Sequence, residues 1–302
     1  MGSKKYFLFL GLMTMVLITQ AQSSSNSGLE WKDSSIIPAN RMAQHNEFLN
    51  NQYNFPAKPR SQWELGLKVG SHAILGDFSS KFPGFGYGVH LRKSLGYVVS
   101  LRGEFNYGTS KGQNWSGSTD YSAASAWGQA GYRPGIDKVF RNFKNTTADL
   151  SVQALFSLNN IRFHKAQPKS SFYAILGLGV IGYDTKINAL NASGQRYGFS
   201  SIPDVDWADR KDAYDRLDAL FDDTYETDGD KETENGSKVF GKRALVSASV
   251  GFGAAFKLSK KVNLAIEDKV TFVTSDDLNG YNAPQFPDFY NFLSVGLNIN
   301  LF

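Results

Sequence analysis

Apolar and polar side chains alternate along most of the chain. Trp63, Leu65, Leu67 and Val69 interleave with Glu64, Gly66, Lys68 and Gly70. A strand turns successive side chains to opposite faces, so this spacing predicts a strand with one apolar face and one small or polar face. The pattern recurs in seven further runs: Phe85 to Arg92, Tyr97 to Tyr107, Ala148 to Phe156, Phe172 to Val180, Ala244 to Phe256, Val262 to Lys269 and Leu293 to Leu301. The last is the clearest, with Leu293, Val295, Leu297, Ile299 and Leu301 separated by Ser294, Gly296, Asn298 and Asn300. Asp268 interrupts its run, because its parity points it to the apolar side. A bulge, or a place near a membrane surface, is expected to accommodate it.

Eight predicted strands make the smallest common barrel with an apolar outer face. The expected fold is all-β: an eight-stranded antiparallel up-and-down transmembrane β-barrel over 63–302. Short links are expected after the second, fourth and sixth strands. Longer ones are expected after the first, third, fifth and seventh, the largest near 110–145 and 185–242. Short turns at one end and long loops at the other match an outer-membrane barrel with its long loops outside the cell.

The N-terminus supports export. Lys4 and Lys5 precede a thirteen-residue apolar stretch from Tyr6 to Ile18, and Thr19-Gln20-Ala21 supplies small residues for cleavage near Ala21. Such a stretch is too short to cross a ~30 Å hydrocarbon core as a helix. Residues 1–21 therefore read as a signal peptide, and the cell outer membrane is the expected location. Residues 22–62 are polar, with Pro56 and Pro59 near the end. They read as an extended periplasmic segment outside the sheet.

Composition narrows the classes further. The 302 residues are 41% hydrophobic and 20% charged, which excludes a disordered chain, and 14% aromatics with 29 glycines suit β architecture. There is no cysteine, which excludes disulfides, thiol chemistry and a lipoprotein anchor. The net charge of +4 hides an asymmetry: 204–235 holds thirteen acids against four bases, so the remainder is basic. Arg162, His164, Lys165 and Lys169 make one short link basic, and Lys257, Lys260 and Lys261 another. Acidic lipid headgroups or the cell wall would suit them, as would a simple solubilising role. Outer-membrane lipid and other outer-membrane proteins are the expected partners, and nucleic acid is not.

Glu64, Lys68, His90, Arg92, Arg102, Glu104, Glu267 and Lys269 fall on the inward parity. An eight-stranded barrel is just wide enough to be filled by side chains, and buried charges need partners. An internal ion-pair network closing the lumen is expected, with a rearrangeable ion path as the alternative. Glu64 and Glu104 lack a neighbouring nucleophile or metal cluster. The four histidines have no metal-ligand spacing, and Asp228-Gly229-Asp230 lacks the EF-hand offsets. The glycines from Gly84 to Gly88 alternate as strand positions and open no helix. No enzyme activity, cofactor or metal is expected. From Asp204 to Phe221, helical spacing puts Trp207, Tyr214, Leu217 and Phe221 on one face, with Pro203-Asp204 as the start signal. That face either packs over its own loop or forms a partner-docking surface.

Three stretches carry a family resemblance: R-S-Q-W-E-L-G-L from Arg60, P-G-F-G-Y-G-V-H-L-R-K-S-L-G-Y from Pro83 and F-G-A-A-F-K-L-S-K-K-V-N-L from Phe252. They resemble the N-terminal barrel of OmpA-family outer-membrane proteins over about 40–302. The resemblance implies a membrane-anchoring barrel, followed in the family by a domain that grips peptidoglycan. No such domain lies in these residues, so peptidoglycan is an expected partner only if the chain continues past Phe302. A barrel by itself is expected to be structural, a small-solute or ion-conducting porin, or a subunit of a larger outer-membrane complex.

Overall fold

The computed structural model describes residues 32, 34–59, 62–76, 80–158, 170–229, 238–239, 242–259, 261–274, 278–281 and 288–301. The expected signal segment lies outside them, as do Arg162, His164, Lys165, Lys169, Asp230, Lys260 and Phe302. Eight long strands dominate: β1 Gln62–Leu75, β2 Ser80–Ser94, β3 Val99–Gln113, β4 Asn142–Ser157, β5 Ser170–Ile187, β6 Lys242–Lys257, β7 Val262–Val273 and β8 Phe289–Leu301. Each pairs antiparallel with its neighbour in sequence, and β1 pairs with β8 to close the ring. The architecture is a closed up-and-down barrel, which leaves no long strand edge unpaired.

The parity expected from the sequence decides which face each residue takes. Leu67, Val152, Leu178 and Phe252 are exposed on the outside, the last two at 69%. Lys68, Glu104, Gln153 and Lys269 are buried inside. Outward aromatics mark both ends of the apolar band: Trp63, Phe156, Phe172 and Phe256 below, and Phe85, Tyr87, Tyr107, Phe272 and Phe289 above. From Val262 to Phe272 the band rises about 25 Å, taking ~3.3 Å per residue and a tilt near 40°.

Inward glycines make room for large neighbours. A Cβ on Gly253 would lie 2.4 Å from the Tyr173 ring, and one on Gly108 would lie 2.5 Å from His72. Side chains of one strand thus lie across the bare backbone of the next.

Several expectations need correction. The link after β1 is only 76–79, because β1 and β2 run past the apolar band as a hairpin. Small outward residues, Ser71 and Ala73, hide that extension in the sequence. The long connections are 114–141, 188–241 and 274–288. The N-terminal segment lies outside the sheet but is not extended, since it contains helix α1, Met42–Leu49, and two 3-10 turns. It docks on the β2–β3 turn, where Ile36, Ile37 and Ala57 pack with Tyr97 and the Tyr97 hydroxyl donates to Ala57 O at 3.3 Å. Tyr97 is therefore a turn residue rather than the first residue of β3. Asp268 needs no bulge: the register runs unbroken through it on both sides.

The two largest loops fold together above the barrel as a cap with its own apolar core. Trp127, Tyr132, Phe140, Ile187, Phe199, Ile202 and Leu217 form it. Tyr132 ties the loops by donating to Ala189 O at 3.0 Å, and Lys138 does so by donating to Ile202 O at 2.8 Å. A short helix α2, Ala126–Gln129, is capped by the Ser125 side chain, which accepts from Gly128 N. Helix α3, Arg210–Leu220, follows a 3-10 turn at Trp207–Asp209, so helical structure begins later than Pro203-Asp204 suggests.

Candidate functional site: a charged layer inside the barrel

Three cations and three anions meet at mid-height in the lumen, a neutral set. Lys68 comes from β1, Arg102 and Glu104 from β3, Asp149 from β4, and Glu267 and Lys269 from β7. Glu104 is the hub. Its Oε2 lies 2.7 Å from Lys68 Nζ and 3.0 Å from Arg102 Nη2, and its Oε1 lies 2.7 Å from Lys269 Nζ. Glu267 bridges Arg102 Nη1 at 2.5 Å and Lys68 Nζ at 3.2 Å. Lys269 Nζ also reaches Asp149 Oδ2 at 3.4 Å.

Neutral donors add to the shell. Arg102 Nε donates to Gln153 Oε1 at 2.8 Å, and Gln153 Nε2 donates to Glu104 at 3.1 Å. Tyr173 donates to Glu267 and Tyr290 to Asp149, each at 2.7 Å. Burying an ion costs several kcal/mol unless its charge and its hydrogen-bonding sites are matched, and here each ion has at least one partner of opposite sign.

The structure separates the eight expected lumen charges into groups. Lys68, Arg102, Glu104, Glu267 and Lys269 join the central layer. Glu64 and Arg92 form their own looser pair nearer the end of the barrel that carries the β2–β3 turn, at 3.4 Å. His90 is buried against Gly66, and among the described residues neither ring nitrogen has a hydrogen-bond partner. Asp149, Gln153, Tyr173 and Tyr290 escaped the sequence reading. Their inward parity was a usable signal, and so was the excess of bases among the expected set, which asks for another acid.

Above the charges lies a second layer of different chemistry. Ile74, Phe143, Ile181, Tyr183, Val273, Tyr290 and Phe292 are inward residues near the loop end, and Leu278 from the β7–β8 loop joins them. Its carbonyl accepts from Asn145 Nδ2 at 2.8 Å and Thr185 Oγ1 at 3.1 Å, which pins that loop into the barrel mouth. Between the layers, His72 stacks on Tyr290 with ring centres 4.8 Å apart. Its Nδ1 lies 2.7 Å from Ser110 Oγ, a nucleophile–base spacing. However, the Ser110 hydroxyl donates to His72 O at 2.8 Å, and both side chains are buried under the apolar layer. The pair is positioned as structure.

The four residues expected to share one helical face, either packed over its own loop or open to a partner, are divided. Leu217 is fully buried in the cap core and Phe221 packs against it. Tyr214 donates to Gln113 O at 3.3 Å. Trp207 is exposed, with the Arg210 guanidinium stacked 3.8 Å from its ring.

Closed ring, neutral packed lumen and apolar outer band define the class: an eight-stranded β-barrel of the outer-membrane type, the architecture implied by the OmpA-family resemblance. No family model and no curated protein matches the sequence. Among solved structures, Neisserial surface protein A is similar at 10% identity over 79% of this chain and 97% of its own, with a TM-score of 0.37. A major outer membrane protein from Thermus thermophilus is similar at 11% identity over 80% and 99%, with a TM-score of 0.40. The outer membrane enzyme PagL is similar at 10% identity over 79% and 99%, with a TM-score of 0.27. Likeness at these levels says nothing about activity.

Proposed function

We infer that the chain is a non-enzymatic barrel of the cell outer membrane with a structural, anchoring role. The neutral, fully buried cluster of Lys68, Arg102, Glu104, Asp149, Glu267 and Lys269 carries this reading. An ion crossing the lumen would have to separate those pairs and then lose its hydration in the apolar layer of Ile74, Phe143, Ile181 and Leu278. The exposed aliphatic band with aromatic ends supports a lipid-facing wall. The loop cap, with its own core, would then stand outside the cell.

Planar-bilayer recording of the purified barrel tests the closed lumen. Silence, or rare brief events, is the expected result. Frequent stable openings of the wild type, lost or resized in Arg102→Ala or Glu104→Ala, would overturn it in favour of an ion-conducting porin.

A further inference from the structure

Asp268 faces outward from β7, in the same row as Ile266 and Val270. Its register partners are Phe252 on β6 and Leu293 on β8, both exposed and apolar. It lies about 10 Å below Phe272 and about 15 Å above Val262, counting residues at ~3.3 Å and a tilt near 40°. Other outward charges among the described residues, such as Lys93, Lys111, Lys144, Asp184 and Lys186, sit beyond the apolar positions of their strands. Asp268 is instead enclosed by apolar outward neighbours along its own strand.

A carboxylate at this height is costly against hydrocarbon, and polar groups inside a membrane usually have a partner. Asp268 has one within the chain. Asn291 Nδ2, on the outward face of β8, donates to Asp268 Oδ1 at 2.5 Å, with Lys269 O a further acceptor at 3.5 Å. The carboxylate keeps acceptor capacity, and the amide carries a carbonyl oxygen and a second N–H held only by the long contact to Lys269 O. Beside them on β1, Ala73 is the register partner of Asn291 and Ser71 that of Leu293. Where β2 and β3 carry Phe85, Tyr87 and Tyr107, β1 presents the small Ser71 and Ala73 at this height, so the polar pair lies between them and the exposed Phe252 of β6.

We propose that the outward Asp268–Asn291 pair is a lateral interface through which two copies of this barrel associate within the membrane. The occupant follows from complementarity. An acceptor and a donor side by side at one height form a self-matching patch. A two-fold axis along the membrane normal, between β7 and β8, sets Asp268 of one copy against Asn291 of the other, and the reverse. Each carboxylate gains a second donor, and each pair leaves the lipid. The proposal rests on the apolar face being the lipid face.

The absence of cysteine permits a direct test. Leu293→Cys, next to the expected axis, should give a copy-to-copy disulfide on oxidation in membranes. Val152→Cys, on the far wall, should not. Adding Asp268→Leu to Leu293→Cys should cut the crosslink by roughly tenfold, the order expected for losing paired hydrogen bonds in lipid. Asp268→Asn keeps hydrogen bonding and should retain it. Compact migration on unheated gels certifies that each variant is folded. A Leu293→Cys crosslink that is missing, no stronger than that of Val152→Cys, insensitive to Asp268→Leu or directed to another polypeptide overturns the proposal. A spin label at Val152 separates the two readings. If oxygen but not a polar quencher reaches it while Leu293→Cys fails to crosslink, the lipid face stands and the dimer falls.

Discussion

The barrel and its loop cap have opposite cross-sections. In the barrel, Arg102, Glu104, Glu267 and Lys269 are inside, while Leu67, Val152, Leu178 and Phe252 are outside. In the cap, Trp127, Phe140, Phe199 and Leu217 are inside, while Asp209, Asp212 and Asp215 are exposed. The change of polarity occurs along single strands. On β5 the outward row passes from Leu178 and Val180 to Asp184 and Lys186, and on β3 it passes from Tyr107 to Lys111. Apolar groups leave water wherever water is the medium. An outward row that stays apolar for about 25 Å before turning charged is the signature of a wall that meets lipid over that height. The difference also separates two kinds of stability. The lumen depends on matched charges contributed by four strands, and the cap depends on ordinary burial within two loops.

The largest effect should come from treating the lumen as if it were a normal core. Glu267→Leu leaves Arg102 and Lys68 sharing Glu104. Removing one partner of a buried ion cluster should destabilise the barrel by about 3–5 kcal/mol. Urea unfolding of the refolded protein measures this, and an unchanged midpoint would show that the layer is not a stability element. Next in size is Leu217→Ala in the cap core, expected to cost about 3 kcal/mol locally. Protease cleavage within 114–141 and 188–229 should accelerate while the barrel's own unfolding stays put. A matching fall in barrel stability would mean that the two regions are one cooperative unit.

The smallest effect concerns pH. In the cap, Arg133 binds Asp137 through its guanidinium at 3.0 Å and its backbone N–H at 2.9 Å. These bonds lower the Asp137 carboxyl from 3.8 to about 2. A depressed folded value gives stability that is present above 3.8 and lost as pH falls through about 2. Amide exchange across 133–141 should therefore stay slow at pH 5 and quicken only between 3.8 and about 2. Because the pair is exposed, the change should be slight. Loosening already at pH 5 would point to some other group.

Much of the barrel is legible in the chain alone. Period-two alternation is a local property, so strand number, facing and the inward placement of Lys68, Arg102, Glu104, Glu267 and Lys269 follow from the sequence. The extension of β1 past Val69 does not, because Ser71 and Ala73 carry no apolar signal. Leu217 and Phe221 read first as packing over their own loop and second as a docking face, since helical spacing says that residues share a face and not what covers it.

The wall is written in the sequence: eight alternating strands whose apolar row needs a non-aqueous surrounding. The filling belongs to the tertiary structure. Arg102 meets Glu267 across 165 residues of chain, Tyr290 meets Asp149 across 141, and Asn145 holds the Leu278 carbonyl across 133. Those meetings depend on the stagger of the closed ring and on which side chains cross the lumen at one height. Alternation is set by neighbouring peptide units and is therefore local. Stagger is a property of the whole ring, so no stretch of sequence contains it.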